Sequence, residues 1–405
     1  MKKTAVAVAV AVSALGMSQF AAADFVKDSK LSLDLRNYYF NAGTDAFNGA
    51  QEVEGGQWGQ GFRLTYQSGF TAGAVGFGVD FLGAAGYKLA DHGDQQAGML
   101  FARTYNYADN RWESNERLNK GAATLKARVG KTTAYAGALR PNTPVYVAND
   151  ARLLPEMVEG VLVTNQDIEG LTLAAGHVTR LMARDADTWA DLGNTEFTLF
   201  GADYKVMNGL TAQYYYGNRH DIYQQHFAGL KYAADIAGGK FGADFRFFNT
   251  KDDNPAVNDK KSNNLWSVLV NYSVAGHSVG LGHQKTSKDF GFQRVSASSY
   301  LISERMIGNG LMVNPDEAVS LVSYGFDFGT VGVKGLNASI VHQMGDGGTA
   351  KRDHTETDIS VGYTIQDGEF KGLGARLMHG MYDGDGKVAD ANQTRVMFNY
   401  SIPLM

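Results

Sequence analysis

This sequence predicts an all-β fold, a closed antiparallel barrel able to cross a lipid bilayer, on three observations. A short glycine turn recurs as Gly170-Leu171-Thr172-Leu173, Gly209-Leu210-Thr211-Ala212, Gly335-Leu336-Asn337-Ala338 and Gly372-Leu373-Gly374-Ala375. Each copy follows a polar residue (Glu169, Asn208, Lys334 or Lys371) and leads into a strand-like run. Long polar segments, such as 180–195, 249–264 and 343–358, lie between the copies. Several runs alternate apolar and polar residues with a period of two, the mark of a strand with two different faces. Short turns alternating with long loops describe up-and-down strands with one tight and one loose end. Such a sheet, closed on itself, pairs every backbone N–H and C=O internally, which the hydrocarbon core of a membrane demands.

Taken in order, the chain opens on an export signal. Lys2 and Lys3 precede an uncharged apolar stretch over 5–15, and Ala21-Ala22-Ala23 fits a small-residue cleavage site. Residues 1–23 are therefore read as the signal and 24–405 as one barrel domain. In 61–67, Phe62, Leu64 and Tyr66 oppose Arg63, Thr65 and Gln67. In 124–130, Leu125, Ala127 and Val129 oppose Thr124, Lys126 and Arg128. Phe241, Ala243, Phe245 and Phe247 oppose Asp244 and Arg246, and Val396, Phe398 and Tyr400 oppose Arg395, Met397 and Asn399. No segment sustains a helical period. Pro141, Pro144 and Pro155 break the pattern, because proline cannot donate to a ladder. The stretch they brace carries Asn149-Asp150-Ala151-Arg152-Leu153-Leu154. It reads either as a surface loop or as a loop folded into the lumen.

Composition agrees with a barrel. Glycine (49), tyrosine (20) and phenylalanine (22) are plentiful, yet charged residues make up 20% and mean hydropathy is negative. Alternating lipid-facing and lumen-facing positions produce that average. Cysteine is absent. The net charge of −5, more acidic still without Lys2 and Lys3, argues against a nucleic-acid partner.

The residues also carry a family resemblance. It runs through Leu35-Arg36-Asn37-Tyr38-Tyr39-Phe40-Asn41, Trp58-Gly59-Gln60-Gly61-Phe62, Gln67-Ser68-Gly69-Phe70-Thr71, Val75-Gly76-Phe77-Gly78-Val79-Asp80, Ala148-Asn149-Asp150-Ala151-Arg152-Leu153-Leu154-Pro155, Glu169-Gly170-Leu171-Thr172-Leu173 and Asn314-Pro315-Asp316-Glu317. In these stretches the chain resembles the OprD (Occ) family of substrate-specific outer-membrane porins of pseudomonads and related Gram-negative bacteria. The resemblance implies an 18-stranded barrel with short periplasmic turns, long extracellular loops and a third loop folded into the pore. It implies a constriction containing Asn149, Asp150 and Arg152, and a row of arginines that guides a carboxylate: Arg36, Arg152, Arg376 and Arg395. Arg63 and Arg128 join the row on alternation alone. Glu304 and Asp316 are candidates for an acidic side of the constriction. Two departures bear on the substrate. Where many members carry Arg-x-Arg in the penultimate strand, this chain has Arg376-Leu377-Met378, and its final residue is Met405.

The function implied is passive uptake of small carboxylate-bearing solutes, amino acids or organic acids, across the outer membrane. A guanidinium keeps its charge and grips a carboxylate in a bidentate fork. A series of moderate sites lets the anion be handed on, whereas one deep site would trap it. Neutral oligosaccharides such as chitin fragments, or weakly selective passage, are the alternatives; Tyr38, Tyr146, Tyr214 and Tyr216 would supply an aromatic slide. The partners implied are small solutes, outer-membrane lipid and lipopolysaccharide, and the barrel-assembly machinery during insertion, with homo-oligomers left open. No motif calls for a cofactor, a metal or an enzyme. Gly276-His277-Ser278-Val279-Gly280 matches the G-x-S-x-G pattern of hydrolases but falls at a strand-turn-strand junction, not a strand-to-helix elbow. Asp383-Gly384-Asp385-Gly386 lacks the rest of a calcium loop. His342 and His354 are read as rim or lumen residues.

Overall fold

The computed structural model describes residues 25–45, 52–93, 100–108, 110–259, 261–307 and 312–405. The export signal expected over 1–23 lies outside the described residues. Among these residues eighteen strands close one antiparallel barrel. In chain order they are β1 Lys30–Thr44, β2 Val53–Gln67, β3 Gly76–Gly93, β4 Arg117–Val129, β5 Thr132–Leu139, β6 Met157–Asn165, β7 Leu171–Met182, β8 Phe197–Met207 and β9 Leu210–Arg219. They continue as β10 Tyr223–Ile236, β11 Gly239–Asp252, β12 Ser262–Val274, β13 His277–Thr286, β14 Ala318–Asp327, β15 Leu336–Gly345, β16 His354–Thr364, β17 Gly374–Asp383 and β18 Ala391–Pro403. Each strand pairs with the next, and β1 pairs with β18 over Ser32↔Pro403 to Thr44↔Ala391, which closes the sheet.

The four glycine turns fall at one end, between β6 and β7, β8 and β9, β14 and β15, and β16 and β17. Gly170, Gly209, Gly335 and Gly372 all have positive φ, a conformation that a residue without Cβ adopts freely. The three long polar segments fall at the other end. One connection there is short: only 220–222 separate β9 from β10. Ala275 and Gly276 form the tight turn between β12 and β13, so the G-x-S-x-G match is strand-turn-strand as expected.

Alternation sorts the wall as the sequence predicts. Leu125, with 66% of its surface exposed, Val129, Phe62, Leu64, Phe245 and Phe398 point outward, while Thr124, Lys126 and Arg395 are buried on the inside. Polar groups on the outer face satisfy one another, as a lipid-facing wall requires. Trp58 Nε1 donates to Asn37 Oδ1 (2.8 Å), and Asn37 Nδ2 donates to Gln60 Oε1 (3.0 Å). His342, between the exposed Ile340 and Met344, also faces outward and bonds Thr357, so of its rim or lumen reading the lumen is excluded. His354 is buried at the loop end between Glu317 and Tyr382.

A barrel this wide would hold a water-filled bore, and two loops occupy it. Residues 140–156, of the third loop, and 287–307 and 312–317, of the seventh, pack inside the loop end. There Val145, Tyr146 and Leu301 join Phe197, Phe227, Phe248 and Leu265 in the largest buried cluster. Leu153 and Leu154 join Tyr38, Phe40, Phe101 and Leu118 in a second. Burying each of these leucines contributes about 1.5–3 kcal/mol to docking of the loop.

Candidate functional site

The third loop is held in the lumen by its own sequence. Pro141 precedes and Pro144 turns a minimal hairpin in which Asn142–Thr143 pairs Tyr146–Val147, and Ala148 N donates to Pro141 O (2.8 Å). Asn149 Oδ1 then accepts from Ala151 N (3.0 Å), and Glu156 N donates back to Asn149 O (2.7 Å). On the facing wall, Gly59, Gly61 and Gly86 leave room for Leu153. A Cβ at Gly59 would stand 2.9 Å from its Cδ2. The Trp58-Gly59-Gln60-Gly61 motif is thereby explained: its even positions face lipid and its glycines receive the loop.

This docking places Asp150 among three guanidiniums. Arg36 Nη1 reaches Asp150 Oδ1 at 3.1 Å, Arg63 Nη1 reaches Oδ2 at 3.1 Å, and Arg140 Nη1 stands 3.6 Å from Oδ2. Arg36 also donates to the carbonyls of Asp150 (3.1 Å) and Arg152 (2.5 Å) and, through Nε, to Asn399 Oδ1 (3.0 Å). Arg63 Nε donates to Asp34 Oδ2 (3.1 Å). Beside this cluster, toward the tight end, lies a cavity of about 490 Å³ lined by Asp34, Arg36, Arg63, Arg376, Met397 and Asn399.

A second group of cations stands one level nearer the loop end, four residues and about 13 Å farther along β1. Arg152 packs over the Phe40 ring at 4.4 Å and Arg395 approaches the same ring at 5.6 Å. Arg395 Nη2 donates to Met306 O (2.7 Å) and its Nε to Gln393 Oε1 (2.6 Å). Burial, reinforced by the like charges of Arg395 and Arg184, pushes Arg152 down to about 9, so it is still a cation at neutral pH.

Of the six arginines singled out in the sequence, the structure thus gathers Arg36, Arg63 and Arg376 at one level and Arg152 and Arg395 at the next. Arg128 stands apart, stacked over Phe70 at 4.2 Å beside the tight turns. Asn149 ties the loops together by donating to Ser298 Oγ (2.8 Å). Glu304 stays within the seventh loop, where its Oε2 accepts from the hydroxyl (2.5 Å) and backbone N–H of Ser299. Asp316 pairs with Lys285 (3.1 Å) and Lys288 (3.7 Å) at the loop rim. Neither acid meets the arginines. The carboxylates that meet the lumen loops are Glu356 and Asp358, which accept from Ile307 N (2.8 Å) and Met306 N (3.2 Å). Their spacing on one face of β16 was a usable signal. Arg140 gave none, because it sits where the alternation of β5 ends.

The tyrosines do not form a slide. Tyr38 and Tyr146 are buried under the third loop, Tyr38 donating to Ala151 O (3.1 Å), and Tyr214 is exposed on the outer wall against His226. The paired acids of 383–386 serve their own backbone: Asp383 Oδ1 accepts from Asp385 N (2.7 Å).

Comparison with known proteins agrees with this architecture. The family model for outer membrane porins of the OprD family matches residues 23–404. Porin D of Pseudomonas aeruginosa is 33% identical over 312 residues, covering 71% of this chain and 68% of its own length. The crystal structure of P. aeruginosa OccK8 (OprE) superimposes with a TM-score of 0.82 at 34% identity, covering 94% of this chain and 100% of that one. That of P. aeruginosa OpdK with vanillate gives 0.84 at 28% identity over 94% and 100%. An eighteen-stranded barrel with two loops packed in its bore, matched by this family from end to end, is a channel wall, and the chain belongs to the OprD family of outer-membrane porins.

Proposed function

We propose that this porin passes small carboxylate-bearing solutes down their gradient, guided by Arg36, Arg63 and Arg376 at the cavity and by Arg152 and Arg395 at the level above. The observation that carries the reading is Asp150. Its carboxylate already lies among Arg36, Arg63 and Arg140, so this set of cations is shaped to hold such a group. The neighbouring cavity of about 490 Å³ gives a small acid space beside the same side chains. Vanillate, named with OpdK, is itself a carboxylate. The constriction is formed by Asn149, Asp150 and Arg152, with Glu356 and Asp358 taking the acidic role expected of Glu304 or Asp316.

The test is uptake into liposomes carrying the purified protein, comparing benzoate with a neutral disaccharide. Benzoate is expected to enter faster, and Arg63→Ala to reduce that preference. Equal or faster entry of the sugar would remove the carboxylate reading.

A further inference from the structure

Resting on the carboxylate reading, we infer that Met397 and Met378 decide which carboxylates pass, favouring an acid with an apolar body over a hydrophilic one. Arg376 pairs across the ladder with Met397, and Arg395 with Met378. All four alternate with the outward-facing Leu377 and Phe398, so they share the inner wall. Met397 lines the cavity together with Arg36 and Arg376. Met378 packs against the buried cluster of Met306, Ile307, Tyr382 and Ala391, and Arg395 bonds the Met306 carbonyl.

Each of these two cations therefore has a thioether as its cross-strand neighbour, with Cβ atoms about 5 Å apart. A carboxylate forked by Arg376 lays its body on Met397. On its way in it has first passed Arg395, with Met378 beside it at the seventh loop. A hydroxylated chain in this position gives up water to a sulfur that is a poor hydrogen-bonding partner. An apolar or aromatic body gains contact with a polarisable, adaptable surface. The two arginines supply attraction for any carboxylate, and the two methionines supply the discrimination.

The unmodified porin in liposomes gives the first test, with acetate, butyrate, hexanoate, benzoate and gluconate as probes and a neutral disaccharide as reference. Entry relative to gluconate is expected to rise with apolar size. A flat or falling series, with all acids still ahead of the sugar, would overturn this inference and leave the carboxylate reading intact. Loss of the preference over the sugar would remove both. The second test is Met397→Gln, which keeps the length and removes the apolarity. The benzoate-to-gluconate ratio is expected to fall roughly two- to tenfold, the size of one sulfur–aromatic contact. Gluconate entry is expected to hold or rise, because the glutamine amide can bond its hydroxyls, and Met397→Leu to keep most of the ratio. An unchanged ratio in a Met397→Gln barrel that still migrates as folded before heating would overturn the assignment.

Discussion

At the scale of single residues, the lumen is organised by a carboxylate that belongs to the protein. Asp150 is shared by Arg36, Arg63 and Arg140, and Asp34 takes the remaining face of Arg63. Replacing Asp150 by Asn keeps the shape and removes one negative charge beside the cavity. Anion-to-cation permeability, read from the reversal potential of a planar bilayer under a salt gradient, is expected to rise about fivefold. One charge at a few ångströms is worth roughly 1 kcal/mol even with water-like screening. An unchanged reversal potential would mean that Asp150 lies off the ion path. The sequence disclosed the arginines on strands through alternation, and Arg152 through the loop motif. Glu356 and Asp358 left a signal in their spacing on one face of β16, but what lies opposite them is invisible to local pattern; Arg140, where the alternation of β5 ends, left none.

At the scale of elements, the third and seventh loops act as one insert. Asn149 meets Ser298, and Ser296 Oγ donates to Glu156 Oε2 at 2.9 Å. Burial pushes Glu156 up to about 7, outweighing Ser296, Arg184 and Lys120, which all favour its ionised form. A carboxyl raised in the fold contributes its full stability below the ordinary carboxyl range and loses it as pH climbs through about 7. The seventh loop is therefore expected to resist limited proteolysis better at pH 6 than at pH 8. Glu156→Gln should make the two digests alike, and a difference that persists in that variant would assign the effect to another group. The prolines told where the third loop begins and ends, and glycines on β2 hinted at what receives it. The inward path of 287–307 had no such signal, since its docking residues Phe292, Val295 and Tyr300 are ordinary apolar side chains in a polar stretch.

At the scale of the molecule, the two faces of the wall answer to different solvents. Leu125 and Lys126 are neighbours on β4, one bare to lipid and the other buried inside, where Lys126 pairs with Asp80 at 2.6 Å. Leu125→Arg is expected to destabilise the barrel by about 2–4 kcal/mol if its level is the bilayer midplane, and by about 0–1 near an interface. Urea unfolding in liposomes measures this, and the value reports the depth of that residue. The barrel was legible because a period of two repeated over many strands admits few other folds. The bulge at Trp58/Gly59 was not, because one extra residue leaves the composition of both faces almost unchanged. The seam has a consequence for assembly. Arg36 and Arg63 stand on the first two strands and Arg376 and Arg395 on the last two, and Arg36 holds Asn399 across the join between β1 and β18. A nascent chain thus carries its lumen cations in two separated groups, and Arg36 and Arg63 gain Arg376 and Arg395 as neighbours only when the two ends of the sheet meet.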